Sequence, residues 1–506
     1  MRSKVWYGGL ILALGAALCG GCSDDNEYGS LHFTVRNEGS PAQPEIFIPQ
    51  ETAQLQLELF QEPAVTGKTI TFSDSALQEE ESDSNSETSG KEAQAKSLGQ
   101  LAAERTWDNF AFGHDKEEEI TRTYYRARVD YTGGEPSLEI GDIQQGEWIL
   151  RVSALDQGGQ TLAYYQDGIN INGGSLELDG WLQSGRAPEG YLYATHTANG
   201  TLTRISLYSN IIEQSTLSAG HPAYLFAKRT QTPKFSDPFY ATTGGTSLLQ
   251  LTPDFKANRL DVEELGFVRN GTYVRSAANV DTALISFFSE GLVRFFDFSE
   301  VSNYDYLYTG QGASYLSQLT GDDCVWVCNE NSNDLSLVDL RERSLALEGN
   351  LRLGSDSPKA AEANAANTKI WVLAQRSGGG AVRVIDFSQK DLGGETWAEF
   401  TTDLAQPSAI YLESDQWACV ADNQRQEAIF LDAANLDEGQ RLEELFGESG
   451  ARLALPQGGD QILSDGDRLY VLQSQAGQVA TIDIATRTLG QTYKLGGKAR
   501  HLLKVQ

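Results

Sequence analysis

Residues 468–488 read RLYVLQSQAGQVATIDIATRT. Two short runs of β-forming residues flank a polar turn, and the second run ends on Ile482-Asp483. Alternating apolar runs around a Gly-containing turn read as a β-hairpin. Versions of this hairpin recur back to Tyr191. They are YLYATHTANGTLTRISL from Tyr191, PFYATTGGTSLLQLTP from Pro238, ALISFFSEGLVRFFDFS from Ala283, CVWVCNENSNDLSLVDL from Cys324, KIWVLAQRSGGGAVRVIDFS from Lys369 and QWACVADNQRQEAIFLDAA from Gln416. Successive starts lie 41 to 52 residues apart. A period in that range marks an array whose units bury their apolar faces only against one another.

Each hairpin ends on a side-chain acceptor. It is Asp297, Asp339, Asp386, Asp432 or Asp483 in five copies, with Ser206 and Thr252 in the first two. An acceptor there can bond backbone N–H groups two residues on and hold the next turn. Between hairpins a Gly- or Pro-bearing loop leads into a short apolar run: GHPAYLF from Gly220, GQGASYL from Gly310, AQPSAI from Ala405 and GGDQIL from Gly458. These predict the innermost strand of each unit. A last copy, GGKARHLL from Gly496, has no hairpin after it, and the hairpin at Tyr191 has no such run before it. The C-terminal strand, 497–505, is therefore expected to complete the first unit and close a ring. The predicted fold is all-β: a seven-bladed β-propeller over 188–506, preceded by a β-sandwich domain.

The sandwich is expected over 31–183. LHFTVR (31–36) and AQLQLELF (53–60) alternate with period two, the mark of half-buried strands. Further strands are expected at 68–72, 107–112, 121–131, 137–140 and 175–178. A hairpin is expected at 147–154 and 161–165 around Gln157-Gly158-Gly159-Gln160. Residues 73–104 carry EEESDSNSETSGKEAQAK and no aromatic residue, too little apolar surface to offset the entropy of ordering. This acidic insert is expected to be disordered, with a helical tendency towards 100–105. Trp107, Trp148, Tyr164 and Tyr165 read as packing residues rather than a carbohydrate platform.

The 506 residues include 70 Asp and Glu against 39 Lys and Arg, a net charge of −31. That balance argues against nucleic acid and anionic membrane surfaces, both of which need a positive footprint. Cys324 and Cys328 are four apart on one predicted strand, roughly 13 Å at strand rise, too far for a disulfide. Together with Cys419 they read as buried thiols. The N-terminus carries Arg2 and Lys4, then the apolar stretch 10–18, then Cys19-Gly20-Gly21-Cys22. This is the layout of a secretory signal peptide over 1–21.

Several resemblances follow from these residues. Cys19-Gly20-Gly21-Cys22 resembles a bacterial lipobox, although Cys19 stands where the family usually has Leu. By that resemblance Cys22 is lipidated and becomes the mature N-terminus. The acidic linker that follows (22–30, with SDDNE at 23–27) resembles the surface-export signal of Bacteroidetes lipoproteins, implying an outer-membrane, surface-exposed address. An acidic linker on a periplasmic lipoprotein is the alternative. GEWILRVSA from Gly146, followed by Asp156-Gln-Gly-Gly, resembles surface Ig-like or transthyretin-like modules. The repeats resemble the YVTN-type propeller family, most closely in the fourth, fifth and seventh units. Some surface propeller lipoproteins of this kind capture nutrients, including cobalamin, for an outer-membrane transporter.

Ligands of propellers commonly sit at one mouth of the ring. The predicted inter-blade loops place His221, Gln311, Asp356, Gln406, Gln457 and Asp460 there. The hairpin tips add His196, Glu290, Asn329, Asn331, Arg376, Asn423, Arg425 and Gln473. This amide-rich ring suits a neutral or mixed-polarity ligand; plain solvated loops are the alternative. His196, His221 and His501 fall in one sector, where three imidazoles could serve a metal or acid–base chemistry, though a chance gathering is the simpler explanation. Gly378-Gly379-Gly380 reads as a hairpin turn and Ser464-Asp465-Gly466-Asp467 as a tight turn, neither a phosphate nor a calcium loop. No catalytic residue, metal or cofactor is expected. The expected function is a lipid-anchored surface binding protein that captures a small-molecule nutrient or a partner protein without catalysis. A propeller enzyme of lyase or hydrolase type and a structural or adhesive surface component are the alternatives.

Overall fold

The computed structural model describes residues 28–36, 48–61, 108–110, 120–122, 125–217, 220–227, 239–243, 247–252, 255, 257–261, 268–275, 281–297, 304–318, 324–364, 366–387, 396–400, 404–413, 417–432 and 452–505. Within them the chain is all β, in many small sheets. The strand expected at 68–72, the insert at 73–104, the helical tendency at 100–105, Trp107 and the lipobox lie outside the described residues.

Two sheets, of three and five strands, come first. In one, Tyr28–Val35 pairs antiparallel with Ser137–Gln144 and parallel with Gly174–Gly180. In the other, the order is Gln183–Ser184, Thr161–Ile171, Gly146–Leu155, Gln54–Phe60, Tyr125–Asp130. Period-two alternation sends Leu31, Phe33 and Val35 from the first sheet, and Leu55, Leu57 and Leu59 from the second, into one shared core. Burying each such side chain is worth about 1.5–3 kcal/mol. Trp148 completes that core, its ring 5.1 Å from Tyr125 and its Nε1 donating to the Gln144 carbonyl at 2.9 Å. Asp108–Phe110 and Ile120–Arg122 form a separate short ladder.

From Tyr191 onward the described strands form seven small antiparallel sheets. The first orders Ile212–Thr216, Thr201–Ser206, Tyr191–His196 and His501–Val505. The second runs Pro222–Ala227, Phe239–Thr243, Ser247–Leu251, Ala257–Asp261. The third runs Val268–Arg275, Asp281–Phe287, Leu292–Asp297, Tyr304–Tyr308. In the fourth, Ala313–Gln318, Cys324–Asn329 and Asp334–Asp339 are followed by an outer strand split into Ser344–Leu345 and Leu351–Arg352. The fifth runs Ser357–Ala363, Lys369–Arg376, Gly379–Asp386, Thr396–Phe400. The sixth runs Pro407–Glu413, Trp417–Asp422, Glu427–Asp432, Arg452–Ala454. The seventh runs Gln461–Ser464, Arg468–Gln473, Gln478–Asp483, Thr488–Lys494. The C-terminal strand lies antiparallel on the first hairpin, Val505 opposite Tyr191 and His501 opposite Thr195.

The first-listed edge strands of the second to seventh sheets adjoin one another in chain order, and His501–Val505 lies next to both Gln461–Ser464 and Pro222–Ala227. A hydrophobic core separates each pair of neighbouring sheets. One holds Leu192, Ala194 and Ile205 of the first sheet against Tyr470, Leu472 and Val479 of the seventh, with Leu502 from the C-terminal strand. Each sheet is thus covered on both faces. That is why Cys324–Asn329 and Arg468–Gln473 are buried along their whole length, and why such strands read as unbroken apolar runs. The arrangement is that of a β-propeller. Cys324, Cys328 and Cys419 are buried free thiols within it, and burial pushes the Cys419 thiol up to about 12.

Two turns repeat. At one end of the sheets, the acceptor closing the third strand caps the next turn. Asp339 Oδ1 accepts from the N–H groups of Arg341 (2.8 Å) and Glu342 (3.0 Å), and Asp483 Oδ1 from Thr486 N (2.7 Å). Ser206 Oγ serves Tyr208 and Ser209 in the same way at 3.2 Å. At the other end, the residue closing the middle hairpin adopts positive φ: Gly200, Gly291, Asn333, Gln426 and Gly477. Its carbonyl accepts from the first N–H of the loop into the next sheet, namely Leu217, Thr309, Leu353, Leu455 and Leu495 at 2.7–3.1 Å. Each tip is so tied to the loop beside it. At Gly477 (φ +62°) an added Cβ would lie 2.2 Å from the Gly497 carbonyl oxygen. Gly477→Ala should therefore destabilise by at least about 2 kcal/mol, combining the left-handed penalty with the clash. Gln426→Gly, at a φ of 57°, should stay within about 1 kcal/mol of wild type. Urea titration of both variants checks the pair.

The two-sheet domain docks on the end opposite the tips. Phe60 and Ile149 share a core with Tyr191 and Tyr208. Gln166 Nε2 donates to the carbonyls of Pro188 (3.1 Å) and Leu207 (2.9 Å). Arg186 N donates to Asp467 Oδ2 at 3.0 Å. Arg468 Nη2 donates to the Tyr164 hydroxyl and, at 3.0 Å, to the Arg186 carbonyl, with its guanidinium 4.7 Å from the Tyr164 ring centre. Burial pushes the Tyr164 hydroxyl up to about 12.

Candidate functional site

The tip end gathers the middle-hairpin tips and the loops entering the sheets. The side chains expected there divide by burial. Four are engaged inside the chain. Asn329, fully buried, donates to Asp334 Oδ1 (2.7 Å) and Ser336 Oγ (2.9 Å) and accepts from Thr309 Oγ1 (3.1 Å). Gln473, 1% exposed, donates to the Pro456 and Gly458 carbonyls (2.6 and 2.7 Å) and accepts from Gln478 Nε2. Asp356 is buried under a two-bond clamp from Arg376, with Arg383 Nη1 3.6 Å away. His196 is buried, as described below. A buried polar group without such partners would cost roughly 1–3 kcal/mol, so these side chains latch tip to loop.

Sequence reasoning did not single out Asp422 for this role. It sits at the place in the sixth sheet that Asn329 and Gln473 occupy in theirs. Its carboxylate accepts from the N–H groups of Ala405 (2.5 Å), Gln406 (3.1 Å), Gln424 (3.1 Å) and Arg425 (3.0 Å). The readable signal was its position, the last residue before the tip.

Of the remaining predicted residues, Arg376, Asn423 and His501 are half-buried, and Glu290 and Asp460 are exposed. Gln311, Asn331, Gln406, Arg425, Gln457 and His221 are exposed. Their backbones are held: Asn331 N donates to Gln311 O (3.0 Å) and Asn423 N to Gln406 O (2.9 Å). Asn423 Nδ2 also donates to Asp460 Oδ1 at 3.0 Å, and Asp460 Oδ2 accepts from Ser474 N at 2.9 Å. The tip end thus carries exposed amides and charged groups on loops fixed from below.

The three histidines have separate partners. His196 Nδ1 lies 3.0 Å from the Lys498 carbonyl, so this nitrogen carries the proton, and Nε2 accepts from Thr203 Oγ1 at 2.8 Å. Burial lowers its pKa. His501 Nδ1 accepts from Leu225 N at 3.2 Å, and its ring lies 5.5 Å from that of Tyr224. Burial, with the nearby Arg500 charge, lowers its pKa to about 3. His221 Nδ1 donates to the Thr197 carbonyl at 2.8 Å from an exposed loop. No group of three His, Cys, Asp or Glu placed to hold a metal occurs among the described residues.

The depressed His501 value sets a pH dependence. As pH falls, the unfolded chain takes up the proton near 6.5 while the folded chain resists until about 3. The stability from His501 is therefore complete above about pH 6.5 and is lost on the way down, by up to about 1.4 kcal/mol per pH unit. His501→Gln should flatten that acid limb in urea titrations run between pH 7 and 4. An unchanged slope would show that His501 is not the group responsible.

No protein-family model matches the chain, and no curated protein does. Among solved structures, similarity runs to β-propellers. Hydrazine synthase of Kuenenia stuttgartiensis matches at 12% identity with a TM-score of 0.47, covering 59% of this chain and 93% of that one. The Cps50 (Swd1) β-propeller domain of Myceliophteria thermophila matches at 11% identity and 0.42, covering 60% and 92%. A protein from Lactobacillus plantarum matches at 11% identity and 0.45, covering 63% and 99%. Likeness of this degree transfers no activity, substrate or partner to this chain.

Proposed function

We propose that this chain is a lipid-anchored cell-surface binding protein. The seven small sheets are the blades of one seven-bladed propeller spanning 188–506, closed by the strand at the C-terminus. The two sheets before it form an Ig-like β-sandwich over 31–183. Cys22 is the lipidated residue, 1–21 the signal peptide and 22–30 the acidic linker, which places the protein on the outer membrane facing outward. The propeller binds a small-molecule nutrient or a surface partner, such as an outer-membrane transporter, and does not transform it.

One observation carries the binding reading. Exposed polar side chains at the tip end stand on loops tied by buried latches, while the sandwich contacts fall at the opposite end. Loops held in this way lose little entropy when a ligand seats on them. A thermal-shift screen of the full chain against vitamins, cobalamin among them, and glycans tests it. The expected result is a ligand that raises the melting temperature by several degrees. The quadruple variant Gln311→Ala/Asn331→Ala/Gln406→Ala/Gln457→Ala should abolish the shift. A shift that survives in that variant would move binding away from the tip end.

A further inference from the structure

We propose that the tip end carries an anion-binding site where the C-terminal strand meets the first hairpin, built on Lys498 and Arg500 with Tyr224 and His221 beside them. It would take a small carboxylate or phosphate. Neither cation was singled out by the sequence.

The first observation is charge. Acidic residues outnumber basic ones by 70 to 39, so a cation here usually finds a carboxylate. Elsewhere at the tip end Lys359 pairs with Glu330 at 2.6 Å and Arg376 with Asp356. Lys498 and Arg500 are both exposed, and neither forms an ion pair with a described carboxylate. The described segments around them, 196–200, 220–224 and 495–501, contain no Asp or Glu. Two cations so close in sequence, without a described counter-charge in so acidic a chain, are where an anion gains most.

The second observation is rigidity. The loop bearing both cations is tied at three points. Leu495 N donates to Gly477 O at 2.8 Å, the Lys498 carbonyl accepts from His196 Nδ1, and Arg500 N donates to Thr195 O at 2.7 Å. His196 is itself fixed through Thr203, whose hydroxyl also accepts from Gln214 Nε2 at 3.2 Å. The Arg500 guanidinium lies 5.0 Å from the centre of the Tyr224 ring and donates to the Tyr224 hydroxyl. Four of its five N–H donors remain for a planar or tetrahedral anion. His501 backs Tyr224 without adding charge, because its Nδ1 already accepts from Leu225 N. His221 stands on the adjoining loop, its ring oriented by the Nδ1 bond to the Thr197 carbonyl.

This inference rests on the tip end being the binding end. Isothermal titration of the full chain with inorganic phosphate, and separately with acetate, tests it. Saturable uptake of at least one of the two is expected, the stronger naming the preferred class. Lys498→Gln, a change at an exposed side chain, and Arg500→Gln should each weaken uptake about tenfold, and the double variant should abolish it. Lys494→Gln, an exposed cation on the outer strand of the seventh sheet, should leave it unchanged. No saturable uptake of either anion, or equal weakening by Lys494→Gln, would overturn the site. If phosphate uptake is intact but the quadruple tip variant retains its vitamin or glycan response, the assignment of that ligand to the tip amides fails and this site stands.

Discussion

Removal of residues 497–506 should abolish cooperative folding of the propeller or lower its melting temperature by at least about 10 °C. The strand His501–Val505 supplies the partners for Tyr191–Thr195 in the first sheet. Leu502 is fully buried between the first and seventh sheets. Leu503 and Val505 pack against the core between the first and second. Burial of these side chains at about 1.5–3 kcal/mol for a full one, with backbone bonds at about 0.5–1.5 kcal/mol each, puts the loss on the order of 5–10 kcal/mol. A domain's whole stability is about 5–15 kcal/mol. The deletion would also leave the Tyr191–His196 edge open to pairing with other chains, so aggregation should accompany it. Calorimetry of the truncated chain checks the prediction. A melting temperature within a few degrees of wild type would mean that the strand closes nothing.

Arg468→Ala should have the second large effect and a different signature. Arg468 is 8% exposed and joins both domains. It bonds the Tyr164 hydroxyl and the Arg186 carbonyl, and stands 3.9 Å from Asp465. Removing one member of such a buried network costs about 3 kcal/mol. The damage is bounded because other bonds persist. Tyr164 also donates to Gln183 Oε1 at 2.7 Å, and Asp465 accepts from the Tyr470 hydroxyl at 2.6 Å. The expected outcome is therefore uncoupling rather than collapse: a single melting transition should split into two, with that of the N-terminal two-sheet unit lower. Arg468→Lys should not restore the coupling, since an ammonium cannot reproduce the planar fork and the stacking on Tyr164. One unsplit transition at the wild-type temperature would show that Arg468 carries no interdomain energy.

Much of the all-β layout was legible because it is written locally. The hairpins announce themselves by apolar runs around polar tips, and the Asp or Ser closing the third strand does what an acceptor at that place can do, as Asp339, Asp483 and Ser206 show. The outer strands were not legible. Ile212–Thr216 and Thr488–Lys494 are largely exposed, so no burial pattern marks them. The split outer strand of the fourth sheet and the parallel pairing of Tyr28–Val35 with Gly174–Gly180 rest on long-range register that local pattern does not encode. At the tip end the difficulty was of another kind. Asn329 and Asn331 are the same residue type two positions apart, yet one is a buried latch and the other is exposed. Which becomes which depends on the pleat and on the neighbouring loop. Arg468 opens the stretch that decides the fold and reads there as an ordinary strand start. Its role emerges only once Tyr164, 304 residues away in sequence, lies beneath it.

Hydrogen exchange at the seam between the chain's end and its first hairpin tests the ring most directly. The amides of His501–Val505 should exchange only through the same large-scale opening that exposes Tyr191–His196 and the strand Arg468–Gln473, with one shared protection free energy for all three. Exchange of residues 501–505 at the fraying rate of a free terminus, with the other two strands still protected, would contradict a closed propeller.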